Sequence, residues 1–129
     1  MSRLAIIIAA AVAMIIGAVW YADGVFGKSW RKMNGFNKEA IQKDASKAMA
    51  GMLAALIVMA FVLSRVIAAF GALSAAEGIE VGVWMWLGFV GTIGVAKMLF
   101  EKRPLKLFAI DSGYYLVSLV VMGGIIAAW

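Results

Sequence analysis

The sequence predicts an all-α integral membrane protein, a four-helix bundle with a short interfacial helix in its first cytoplasmic connection. Four long apolar stretches, about residues 4–21, 48–73, 78–100 and 107–128, take up most of the 129-residue chain. The composition is 65% hydrophobic, against the ~45–50% apolar content of an ordinary soluble domain, and the mean hydropathy is +0.98. Most basic residues are gathered between the stretches. Roughly 20 apolar residues cross the ~30 Å hydrocarbon core as a helix, and lipid offers backbone polar groups no partner outside that helix. At 13.8 kDa the four spans and their connections make one transmembrane domain over residues 1–129.

The first span carries Ala9, Ala13 and Gly17 at every fourth position, a small-residue face suited to close helix packing. Ala11-Val12-Ala13 resembles a signal-peptide cleavage site, but the apolar run continues past it and the basic flank follows rather than precedes the run. A membrane span is therefore expected.

The connection over residues 22–47 is too long for a simple turn. Asp23-Gly24 and Asn34-Gly35 bracket it as turns. Between them Phe26, Trp30 and Met33 fall on one helical face while Lys28, Arg31 and Lys32 face elsewhere, the pattern of a helix lying in the membrane surface. Asn37 is an expected N-cap, with Phe36 and Ile41 as a hydrophobic staple. A continuous helix from Lys38 to about Leu73 would be roughly 50 Å long, so its alternating charges Lys38, Glu39, Lys43, Asp44 and Lys47 should project into water.

Small residues recur in the other spans: Ala60, Ser64, Ala68 and Ala72 in the second, Gly88, Gly91, Thr92 and Gly94 in the third, Gly123, Gly124 and Ala127 in the fourth. Such faces serve packing within the bundle or a contact between subunits. Of these, the Ala60, Ser64, Ala68 and Ala72 face of the second span and the Gly88, Gly91 and Gly94 region of the third are the leading candidates for an interface in a homo-oligomer.

Ionisable residues in the spans stand out because an unpaired charge in hydrocarbon costs at least a few kcal/mol. Lys97 and Asp111 should lie at similar depth on antiparallel neighbours joined by the short Pro104-containing turn, so an ion pair between them is expected. Arg65 should either extend outward toward Glu77 or Glu80 or face a hydrated cavity. Tyr114 and Tyr115, about one turn beyond Asp111, complete a small polar cluster.

Ten of the twelve basic residues lie in the first connection or around the third-to-fourth junction, whereas the second connection holds only Glu77 and Glu80. Excess Lys and Arg mark the cytoplasmic side, which puts both termini outside. Trp20, Tyr21, Phe26, Lys28 and Trp30 should anchor the cytoplasmic interface, and Trp84, Trp86 and Trp129 the outer one. The charge of +5 belongs to this topology and not to nucleic acid. With no Cys and no His, thiol chemistry, a histidine proton shuttle and the usual zinc or haem ligands are excluded. The serines have no histidine partner, and no phosphate-binding loop occurs. The expectation is a protein without catalysis, metal or cofactor.

Two blocks, Trp20-Tyr21 with Phe26-Gly27-Lys28-Ser29-Trp30 and the stretch from Trp86-Leu87-Gly88-Phe89 through Leu99-Phe100-Glu101-Lys102-Arg103-Pro104 to Ile110-Asp111-Ser112-Gly113-Tyr114, resemble the domain-of-unknown-function family 1761. Ala22-Asp23-Gly24-Val25 stands where that family's pattern has a proline. The resemblance covers almost the whole chain and implies a four-span protein of the bacterial inner membrane with no established activity. Two functional classes follow. One is a homo-oligomeric channel or transporter for a small ion or polar solute, an oligomer being needed because the four spans offer few polar groups to line a path. The other is an accessory or scaffold subunit of a larger membrane complex, contacting another membrane protein through its Phe26–Trp30 surface helix and the projecting start of its second span.

Overall fold

The computed structural model describes residues 2–129, and these form an all-helical bundle with no strand among them. Helix α1 (Arg3–Trp20) opens on Ser2, whose hydroxyl oxygen accepts from the Ala5 amide at 3.3 Å. Two short helices follow, α2 (Gly27–Asn34) and α3 (Lys38–Lys43), then α4 (Ala45–Phe70). The third span begins as α5 (Ala75–Met85), widens into a π turn (Trp86–Gly91) and finishes as α6 (Thr92–Phe100). The chain closes with α7 (Leu105–Ala128). Arg3–Trp20, Ala45–Phe70, Ala75–Phe100 and Leu105–Ala128 are each long and apolar enough to cross a bilayer, and the chain is a multi-pass membrane protein.

Local chemistry explains the boundaries. Gly35 and Gly71 both sit at φ +70°, the left-handed conformation that ends α2 and α4 without a Cβ penalty. Beyond Gly71 the Ala72 amide returns to the Ile67 carbonyl, closing the last turn of α4. Ser74 then caps α5: its hydroxyl oxygen accepts from the Glu77 amide at 3.2 Å, and its hydroxyl donates to the Glu77 carboxylate at 3.1 Å. Asn37 caps α3 as expected, accepting from the Glu39 amide at 2.9 Å.

Two expectations are corrected. The long helix from Lys38 is two helices, since Asp44 leaves the helical region at φ −109°, ψ 16° and breaks the rod before α4. Short polar side chains such as Asp favour helix ends over interiors because they compete for nearby backbone groups. Phe36 packs edge-on against Trp30 with ring centroids 5.3 Å apart, leaving Ile41 exposed instead of stapled. The π turn of the third span is a further feature that its sequence pattern does not announce.

Helix α7 is the centre of the bundle, packed by α5, α1 and α4. Its nine buried residues lie around its circumference, as suits a helix with neighbours on several sides. Its closest partner is α5. A Cβ at Gly78 would run into the Gly123 carbonyl and the Ala127 side chain, and one at Gly82 into the Leu119 carbonyl, so the two backbones meet almost directly.

The small-residue face of α4 is also spoken for. Ala60 and Ser64 are fully buried beside Leu56, Leu63 and Ile67, and Ala72 is buried just beyond the helix. Only Ala68 of that stripe faces outward, so the stripe does not form a free subunit interface. In the third span Gly91 is buried and Gly94 packs against Ser112 and Phe108, which leaves Gly88 and Thr92 as the exposed members.

Candidate functional site

At the end of the bundle that carries the basic connections, no substantial packing joins α4 to α6. Between them opens a cavity of about 860 Å³, within the ~300–1,000 Å³ range of small-molecule sites. Each span supplies a wall. From α1 come Met14, Gly17, Ala18 and Tyr21; from α4 Ala48, Met49, Met52 and Met59. The third span gives Phe89, Val90, Ile93, Gly94, Lys97 and Met98, and α7 gives Leu107, Phe108, Asp111, Ser112, Tyr114 and Tyr115. Trp30 of α2 and Arg103 of the last turn reach the same space. Five methionines in the lining provide unbranched, polarizable side chains that repack around different apolar shapes.

The polar floor is built on α7. Asp111 accepts a 2.6 Å hydrogen bond from the Tyr21 hydroxyl, the short length expected of a charge-assisted bond. Two indoles hold the surrounding backbone, Trp20 donating to the Ile110 carbonyl at 2.9 Å and Trp86 to the Ser112 carbonyl at 2.7 Å. Gly113 makes room for the Trp20 ring, which lies 3.2 Å from where a Cβ would be. Tyr114 is buried, donates to the Ala13 carbonyl at 2.9 Å and presses its ring against Gly17. Its ring also meets those of Tyr115 and Tyr21, at 5.0 and 5.7 Å. The π turn begins at Trp86 itself, and π segments inside α-helices recur at functional sites.

The surface helix packs against α1 at this end. The Phe26 amide donates to the Trp20 carbonyl at 3.1 Å and the Gly27 amide to the Ala22 carbonyl at 3.0 Å. A Cβ on Gly27 would strike the Tyr21 carbonyl, so this tight return requires glycine. Tyr21 stacks edge-on to Trp30 at 5.3 Å, and Trp20 lies 5.0 Å from Phe26. Asp23 binds Arg31 at 2.6 Å and Lys38 at 2.9 Å. These hydrogen bonds, Lys38 foremost and then Arg31, hold the Asp23 carboxyl below the usual carboxylate range. Arg103 donates to Asn34 at 3.2 Å and pairs with Glu101 at 3.4 Å, tying the α6 to α7 turn to the end of α2.

The candidate residues thus separate into groups. Lys97, Asp111, Tyr114 and Tyr115 share the cavity, with Tyr21 and Trp30. The ion pair expected between Lys97 and Asp111 is not formed: no carboxylate lies within salt-bridge distance of Lys97 among the described residues, and Asp111 is bonded to Tyr21. Arg65 is exposed on α4, away from the cavity lining, and makes no ion pair with Glu77 or Glu80. Trp20 and Tyr21, expected as interface anchors, turn their polar atoms inward to α7 instead. Lys28 stays exposed. At the other end Trp84 and Trp129 are exposed, but Trp86 is a bundle contact. Sequence reasoning missed Trp86 and the methionines, which look like ordinary span residues until the helices are placed. No group of three or more potential metal-binding side chains gathers among the described residues.

The Trp20–Trp30 and Trp86–Tyr114 sequence blocks converge here: Trp20 of the first meets Ile110 and Gly113 of the second, and Tyr21 meets Asp111 and Tyr114. A family model described as "Protein of unknown function (DUF1761)" matches residues 4–127. Neither a curated protein nor a solved structure matches the chain.

Proposed function

We propose that this chain, which belongs to the DUF1761 family of proteins of unknown function, binds a small amphipathic solute in the cavity of a single subunit and moves it across the membrane. The observation that carries the reading is the cavity itself. About 860 Å³ is lined by methionines and aromatic rings and carries Asp111 on its floor. An all-apolar gap would need no carboxylate, and a charge inside a span marks a solute or ion path more often than a packing contact. An open end on the side of the basic loops fits a carrier filled from the cytoplasm of the bacterial inner membrane, with both termini outside.

The subunit needs no partner copy to make this site, which separates the proposal from an oligomeric pore. Too few polar groups line the cavity for a hydrated ion, whereas an apolar body with a charged group suits it. The test is release from vesicles loaded with a mixture of small cationic, anionic and zwitterionic amphipathic solutes, read by mass spectrometry. Wild-type protein should speed the release of at least one solute, and Met52→Trp, which fills the cavity from α4, should abolish the effect. Release no faster than from protein-free vesicles would overturn transport and favour the accessory-subunit role, with the α2 surface helix as the contact.

A further inference from the structure

Two formal charges of opposite sign line the cavity without touching each other: the Asp111 carboxylate on α7 and the Lys97 ammonium on α6. Arg103, the third charged residue of the lining, is already paired with Glu101 and bonded to Asn34. The charge left for a ligand is therefore one negative and one positive. A singly charged ligand would engage only one of these two groups, whereas a ligand carrying both charges engages both.

Resting on the carrier reading above, we infer that the ligand is a small amphipathic zwitterion, net neutral at pH 7, with an ammonium and a carboxylate or phosphodiester on one apolar body. The ammonium meets Asp111 beside the rings of Tyr21 and Tyr115, whose faces attract cations. The anionic group meets Lys97. The apolar body lies against Met52, Met59 and Phe89, where side chains without strong shape preference accept aromatic or branched aliphatic groups.

The test is equilibrium binding at pH 7 to the full chain in lipid nanodiscs, using probes that share an apolar body and differ in charge. Phenylalanine carries both charges, phenethylamine only the cation, phenylpropanoate only the anion and phenylpropanol neither; the corresponding leucine series repeats the comparison on an aliphatic body. Each zwitterion should bind about tenfold tighter than either singly charged relative, with the alcohol weakest, a factor that one additional charge-assisted hydrogen bond supplies. Lys97→Gln, at an exposed residue without an ion pair, should erase the advantage over the amine. Asp111→Asn should erase the advantage over the acid. If the amine or the acid binds as tightly as the zwitterion, the inference falls and the cavity reading stands. Should no probe in either series bind, both fall.

Discussion

Asp111 can remain in a membrane span because one hydroxyl and a cavity serve it. Its partner was not legible in the sequence. Depth and a short turn pointed to Lys97, but helix depth leaves rotation undetermined, and rotation aims Tyr21 of α1 at the carboxylate. Tyr21→Phe should lower stability by about 1.5–3 kcal/mol, the range for a hydrogen bond to a charged group. Denaturant titration in detergent, with Asp111→Asn as the second arm of a double-mutant cycle, should show strong coupling; additive losses would mean the bond contributes nothing. Asp23 is the exposed counterpart. Its pKa is lowered in the folded chain from 3.8, so its contribution is complete above that value and disappears as pH falls through the lower, folded one. Hydrogen exchange over residues 23–38, corrected for intrinsic rates, should be flat from pH 5 to 8 and accelerate at lower pH. Asp23→Asn should be loose throughout and lack that acid step, and high salt should blunt it in the wild type because the group is exposed.

Among the elements, the spans were the most legible part of the chain, since length and apolarity alone specify a membrane helix. Interruptions were harder to read. Asp44 breaks a helix that its charge pattern would continue, and the π turn lies in a run with neither proline nor charge. The small-residue stripes were visible, but which faces met which was not: Ala60 and Ser64 are internal, while Gly78 and Gly82, which carry the tightest crossing, look less prominent in the sequence than Gly88 and Gly91. Substitution separates these cases. Gly82→Ala should cost at least about 1–3 kcal/mol, because the methyl would have to displace α7 backbone at Leu119 and Val120 rather than a flexible side chain. Gly51→Ala, with open space at its Cβ, should be neutral or stabilise α4 by up to about 1 kcal/mol. Equal effects at the two positions in a thermal unfolding assay would contradict the close α5 to α7 crossing.

For the molecule as a whole, one end is drawn together by backbone contact between α5 and α7 and the other opens between α4 and α6. That asymmetry makes a one-sided cavity in a single subunit the central claim. Because the chain contains no cysteine, a single introduced one is the only thiol present. Met52→Cys on the cavity wall and Leu56→Cys, one turn on and 0% exposed, should be treated in sealed vesicles with a small charged thiol reagent added from either side. A one-sided cavity predicts that Met52→Cys reacts only from the side of residues 22–47, the cytoplasm in the proposed topology, and that Leu56→Cys does not react at all. Met52→Cys inert from both sides, or modified only from the side of the termini, would contradict it.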